Sequence, residues 1–205
     1  MIEVTLPTTV FLVRHAEVHN PQDILYGRLP RYRLSARGLR QARLTGLFLK
    51  GRSLDAIYTS PLLRARQTAR IVADATKTRS VHQARGLIEV LTSFQGSPNS
   101  ILKPGFSFYE PPRDPADESM QQVFDRMFAF LRLVTRRHQG GQVALISHAD
   151  PITITRVGLQ GLDLTAASLH SVVYAERSSV TQIRFLPDAM PQLSYFDPAS
   201  LLAGR

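Results

Sequence analysis

The 205-residue chain contains no cysteine. Disulfides and thiolate chemistry are therefore excluded, and any metal site would need histidines and carboxylates. Long apolar runs are also missing. Nothing approaches the roughly 18–20 residues needed to span a bilayer, so no membrane partner is expected. The first residues, MIEVTLPTT, lack the basic start of a secretion signal, and a cytoplasmic location is the expectation. Acidic residues are scarce beside basic ones, 16 Asp and Glu against 25 Lys and Arg, for a formal net charge of +9. Most of the basic residues are arginines spread along the chain, not gathered in a tail. That spread favours a solvated basic surface over a polyanion-binding face, and no nucleic-acid partner is expected. A positive field of this kind still attracts a small phosphorylated substrate.

Hydrophobic residues make up 43% of the chain. Together with the length, that suits one globular domain over residues 1–205 with a full core. The organising stretch is VFLVRHAE, Val10 to Glu17. A short apolar run led by a β-branched residue predicts a buried strand, here ending abruptly in Arg14 and His15. QVALISHAD, Gln142 to Asp150, repeats the arrangement and ends in His148. Open α/β sheets bind ligands at the carboxyl ends of their strands, so two strands that each end in a histidine point to one site.

Between them the sequence predicts alternating elements. Val18 to Arg33 has two prolines, a glycine and no period, which predicts a loop beside the site. Ser35 is placed to cap a helix with Leu39, Ala42, Gly46 and Leu49 on its inner face, ended by Gly51. Leu54 to Ser60 predicts a strand. Ser60 as cap and Pro61 at the first position then predict a helix with Arg64 in its first turn. Ala65, Thr68, Ile71, Val72 and Ala75 form its inward stripe. A third strand and a turn follow, with Glu89 in an apolar setting. Residues 92–117 are rich in Pro, Gly and Ser and predict a loop excursion over the site, of a length usually tied to function. Ser119 and Gln122 make a capping box for the clearest helix, with Val123, Met127, Phe130, Leu131 and Val134 on its buried face. Asp150-Pro151 opens a further helix. Ser178–Leu186 and Gln192–Phe196 read as a late hairpin at a sheet edge. This order predicts a three-layer α/β/α sandwich with a mostly parallel central sheet.

The residues expected at the sheet edge are Arg14, His15, Arg64, Glu89 and His148. Arginine forks match phosphoryl oxygens in bidentate fashion. A neutral histidine can attack phosphorus and form a covalent intermediate. A second, protonated histidine can donate to the equatorial oxygens as charge builds. A carboxyl in an apolar pocket has a raised pKa and can protonate a leaving oxygen.

Six segments in the same order resemble the histidine phosphatase superfamily, which includes the cofactor-dependent phosphoglycerate mutases. VFLVRHAE is similar to its Arg-His-Gly-Glu signature, with Ala16 in place of the glycine. LSARGLRQA, YTSPLLRARQTA, GLIEVL, DESMQQVFDR and LISHADPI resemble its later segments. The resemblance implies a phosphoglycerate mutase-like fold and a metal-independent phosphatase with no cofactor. His15 would be phosphorylated, Arg14, Arg64 and His148 would hold the phosphoryl group, and Glu89 would be the acid and then the base. Asn20 and the backbone N–H of Ala149 are further candidate phosphate contacts, and inorganic phosphate is the implied product. The departures are Ala16, Ala149-Asp150 where a glycine often follows the histidine, and Phe94-Gln95-Gly96 where a Gly-x-Trp-x-Gly pattern is common.

Two other functions stay open. A mutase would return the phosphoryl group to a sugar-acid hydroxyl. A non-catalytic protein on the same fold would bind phosphate or nucleic acid. His15, Glu17 and His19 also invite a metal reading, but Asn20-Pro21 prevents the helix that such spacing needs. Glu17 is expected to support the site, and the aromatic set Phe94, Phe106, Phe108 and Tyr109 either lines the pocket or anchors its loop. Specificity is expected in Val18–Arg33 and Thr92–Asp117. The oligomeric state is open, with Val180–Phe185 as a possible pairing edge for a homodimer.

Overall fold

A computed structural model describes residues 2–103, 105–110 and 113–202. Its strands are β1 (Thr8–Arg14), β2 (Ala56–Thr59), β3 (Val81–Gln83), β4 (Gln142–Ser147), β5 (Val180–Phe185) and β6 (Gln192–Phe196). The helices are α1 (Ala36–Leu49), α2 (Leu63–Thr76), α3 (Met120–Arg137), α4 (Ala149–Leu159) and α5 (Ala166–Ser171). All six strands join one sheet in the order β3-β2-β4-β1-β5-β6. The four strands from β3 to β1 are parallel, and β5 and β6 add an antiparallel hairpin at one edge.

The side-chain period of two splits β1 between both faces of the sheet. Val10 and Leu12 pack with Met127 and Leu131 of α3 and Ile152 of α4. Phe11 and Val13 pack with Leu49 of α1 and Ala65, Ala69 and Val72 of α2. Burial on both faces explains why β1 and β4 read as continuous apolar runs. The result is the expected three-layer sandwich. Among the described residues, no helix is long and apolar enough to cross a membrane.

Local rules account for most helix starts. Ser35 accepts a hydrogen bond from the Gly38 N–H at 2.9 Å. Ser119 and Gln122 form the reciprocal capping box. Gly38 is required by proximity, because a Cβ there would lie 2.0 Å from the Glu17 carbonyl oxygen. This close approach locks α1 against the segment leaving β1.

Several expectations need correction. In α1, Leu39 faces outward at 36% exposure, and the inner face carries Gln41 and Thr45. α2 begins at Leu63, with Leu62 at the cap and no side-chain cap bond, so Ser60 and Pro61 precede the helix. Phe130 on α3 is only half-buried. The pairing edge proposed at Val180–Phe185 is not an edge. β5 lies between β1 and β6, and Val180, Ile183 and Phe185 are buried.

Candidate active site

Three neighbouring parallel strands end at the same level. Arg14 pairs with Ser147 in the last register of β1 and β4, and β2 ends at Thr59 beside Ile146. The next residue of each strand is His15, His148 and Ser60. Backbone bonds carry the alignment one residue further, from the His15 N–H to the Ser147 carbonyl (3.0 Å) and the Ser60 N–H to that of Ile146 (2.9 Å). The two imidazoles meet edge to face, 5.0 Å between centroids.

Arg64, in the first turn of α2, joins them. Its Nε donates to His15 Nε2 at 3.1 Å and its Nη2 to His148 Nδ1 at 3.2 Å. Arginine only donates, so both imidazole nitrogens are acceptors. The proton of His15 then lies on Nδ1, which donates to the Ala16 carbonyl at 2.7 Å. The proton of His148 lies on Nε2, which donates to Ser60 Oγ at 2.8 Å. His15, Arg64 and His148 are each at most 1% exposed. Burial, and then Arg64, holds both imidazoles well below the ordinary histidine range. Each is neutral at physiological pH, with a lone pair facing Arg64.

Glu89 reaches the same point from the turn after β3. Leu87 anchors that turn in the core, and its carbonyl accepts from Ser147 Oγ at 2.8 Å. Glu89 Oε2 lies 3.5 Å from His148 Nδ1 and 3.9 Å from Arg64 Nη2. Its carboxyl is pushed up to about 7. Removal from water is the largest influence; Arg64 opposes it, and the Asp150 carboxylate adds to the rise. The side chain keeps 18% exposure and lines the cavity above the histidines.

The other expected residues fall around this centre. Arg14 lines the cavity, and its Nη1 donates to the Ala175 carbonyl at 2.7 Å. Its Nε is buried and has no hydrogen-bond partner among the described residues. Ala149 opens α4 with its N–H at the positive end of the helix, and it lines the cavity too. Asn20 lines the cavity, but its amide is engaged with the backbone of Ile24, at 2.9 and 3.4 Å. Glu17 also lines the cavity, where it accepts from Ser35 Oγ at 2.7 Å and pairs with Arg177 at 3.3 Å. The metal grouping of His15, Glu17 and His19 does not assemble.

A different trio, His15, Glu89 and His148, brings ligand atoms within 4.8 Å of one another. Arg64 already occupies that space, bonded to both imidazoles. Its fixed positive charge suits an anion and opposes a metal cation.

Sequence reasoning missed several participants. Ser60 is turned toward His148 instead of serving as a helix cap. Tyr26 covers Arg64, its ring centroid 4.7 Å from the guanidinium carbon, and the Gly27 carbonyl accepts from Arg64 Nη2 at 2.7 Å. Asp150 is buried because two tyrosine hydroxyls donate to it, Tyr109 at 2.7 Å and Tyr174 on the other oxygen. Glu118 accepts from Arg28 (2.8 Å), Arg126 (3.0 Å) and the Leu91 N–H (2.9 Å). Arg28 Nε in turn donates to the Glu89 carbonyl at 2.7 Å, so this network fixes the backbone that carries Glu89. The isolated charges were visible in the sequence; their convergence was not.

The two unpatterned stretches meet above this floor. Leu25 exchanges backbone bonds with Gly96 and Ser97, both at 2.8 Å, and Asn99 Nδ2 donates to Asp23 at 2.7 Å. Together they wall a cavity of about 590 Å³.

A family model described as histidine phosphatase superfamily (branch 1) matches residues 10–196. The chain belongs to this superfamily. It is 33% identical over 204 residues to an uncharacterized protein of Mycobacterium tuberculosis, covering 95% of this chain and 98% of that one. Phosphoserine phosphatase 1 of Hydrogenobacter thermophilus is 32% identical over 166 residues, 76% of this chain and 78% of its own. The solved structure of Bacillus stearothermophilus YhfR superposes with a TM-score of 0.79 at 24% identity, covering 91% of this chain and 95% of that one. The fold is thus that of a phosphatase or mutase of this superfamily, and phosphatase-named relatives support an enzyme of that kind.

Proposed function

We propose that the protein is a metal-independent phosphomonoesterase that works through a phosphohistidine. The observation that carries this reading is His15. It is buried and neutral, its Nδ1 proton is fixed on the Ala16 carbonyl, and its Nε2 lone pair faces Arg64.

In the first step, His15 Nε2 attacks phosphorus, and the bond to the ester oxygen breaks. The Glu89 carboxyl gives its proton to that oxygen, which leaves as an alcohol. Arg64 exchanges its imidazole and Gly27 partners for phosphoryl oxygens. The Arg14 Nε–H and the Ala149 N–H supply further donors, and His148 joins them once its Nδ1 takes a proton from solvent as phosphate charge surrounds it. In the second step, Glu89, now a carboxylate, takes a proton from water as that water attacks phosphorus. The bond to Nε2 breaks, and inorganic phosphate leaves. A carboxyl near 7 suits both duties at neutral pH.

The test is turnover of a primary alkyl phosphate with a chelator present, beside His15→Ala, with acid-labile phosphate labelling of the protein. Chelator-resistant turnover and labelling, both lost in the variant, are expected. Chelator-sensitive turnover, or full activity in His15→Ala, would overturn the mechanism.

A further inference from the structure

A second cavity of about 390 Å³ adjoins the first. The two share Leu102, Phe108, Asp150 and Tyr174 in their walls, so the site continues past the phosphate floor. The outer chamber lies between the long loop and α5. Phe106 and Tyr109 line it from the loop, and Ala166 and Leu169 from the helix. Phe94, Phe106 and Phe108 form an edge-to-face cluster, with centroids 5.0 to 5.9 Å apart. The aromatic set therefore does both things the sequence allowed, since the rings anchor one another and three of them, Phe106, Phe108 and Tyr109, line a chamber.

Charge in this chamber is sparse. Asp150 stands at the divide with an oxygen engaged by each tyrosine. Lys103 and His170 line the chamber from exposed positions. Among the described residues no arginine contributes to its wall, in contrast to the inner chamber. Recognition there is mainly by apolar contact and ring stacking, with Lys103 and His170 as the polar exceptions. Each chamber alone falls in the ordinary range for a small-molecule site, roughly 300–1,000 Å³. A three-carbon phosphate ester would leave the outer one empty.

We infer that the substrate is a phosphomonoester with a bulky, largely apolar leaving group. Its phosphoryl group sits against His15, and its apolar body crosses the Asp150–Tyr174 divide into the outer chamber. The inference rests on the phosphatase reading above.

Two esters of the same alcohol class isolate the effect: ethyl phosphate and 2-(2-naphthyl)ethyl phosphate. The larger ester is expected to show kcat/KM at least about 10-fold higher, the scale that apolar pocket contacts give. Ala166→Phe, which fills the chamber, should bring the ratio near one, and Leu169→Phe should act the same way if the first variant unfolds. Equal kcat/KM in the parent protein, or a ratio that neither folded variant changes, would overturn the inference. Calorimetric binding of methylphosphonate and 2-(2-naphthyl)ethylphosphonate separates this result from the fate of the phosphatase reading. Tighter binding of the larger phosphonate without turnover of any ester would leave the chamber standing and reject the hydrolase. Equal binding would reject the chamber.

Discussion

Glu89 carries the sharpest expectation for a single residue. Acting as an acid, it must be protonated when the ester arrives, and its carboxyl is pushed up to about 7 in the free protein. For a primary alkyl phosphate, kcat/KM should therefore fall as pH rises through about 7. His15 is held well below the usual histidine range, so its protonation adds no loss near pH 6.5. An acid-side change near pH 6 belongs to the second ionisation of the ester itself, at about 6. A profile with no fall above pH 7, or one that Glu89→Gln leaves unchanged, would contradict this assignment. Glu89→Gln should lower kcat/KM for the alkyl ester by about 10²–10⁴-fold and that for aryl phosphates less, because an aryl oxide leaves without a proton. Parallel kinetics on the two ester types check it.

His148 and Ser60 set a finer test. Ser60 Oγ holds the ring by its Nε2 proton. Ser60→Ala should leave a buried imidazole N–H without a partner and cost about 1–3 kcal/mol of stability. Denaturant unfolding measures that cost. Nothing in the order Tyr58-Thr59-Ser60 reveals this duty, because it depends on β2 lying beside β4, a fact of strand order that no local pattern encodes. His15 and His148 were legible for the opposite reason. Each terminates a run buried on both faces, and polar residues in that position stand out from their apolar neighbours.

At the scale of elements, α3 governs the backbone that carries Glu89. Glu118, just before the helix, binds Arg28 and Arg126, which both donate to carbonyls of the turn carrying Glu89. Partial burial works against the Glu118 charge, but hydrogen bonds from Arg126 and the Leu91 N–H, with the charges of both arginines, outweigh it and lower its pKa. The native state thus binds this proton less readily than the unfolded chain. The stabilisation is present above the unfolded carboxylate pKa, about 4.3, and is lost as pH falls through the lower folded value. Glu118→Gln should cost about 1.5–3 kcal/mol at neutral pH and flatten the loss of stability in acid, which thermal unfolding across that range would show. α1 makes a comparable demand through Gly38. Gly38→Ala places a methyl group against the Glu17 carbonyl, and an overpacking cost of about 1–3 kcal/mol is expected in the same assay. The Ser35 cap and the Ser119–Gln122 capping box were visible because they are local signals, whereas the need for Gly38 comes from the distant Glu17 carbonyl. The start of α2 was misread because Ser60-Pro61 imitates a helix start while its serine is committed to the site. The outward turn of Leu39 has a related cause. Gln41 takes an inner position because the Glu17 N–H needs its side-chain oxygen, at 2.9 Å.

For the whole molecule, the net charge of +9 acts at long range. A dianionic ester should be drawn in faster at low salt, where the screening length is about 30 Å at 0.01 M against about 3 Å at 1 M. kcat/KM should fall across that range, with kcat nearly constant when chemistry limits turnover. A flat response would show that the arginines close to the site act only by contact. The architecture of the sheet was readable from the alternation of elements. The cavities were not, because they form where Asp23–Leu25 meets Ser97–Asn99 and where Tyr109 reaches Asp150, pairings between stretches with no periodicity.

Strand order has one more consequence, for the time at which the protein becomes active. β1 precedes the other five strands, yet among the described residues its partners in the sheet are β4 and β5, which lie more than a hundred residues later. A nascent chain that stops before Gln142 holds His15 on a strand with no neighbour on either side. His15, the proposed nucleophile, is thus made long before the strands that place it. Recovery of turnover during refolding should lag behind recovery of helix, because contacts this distant in sequence are slow to form. Enzymatic activity would then serve as a clock for the closing of the sheet.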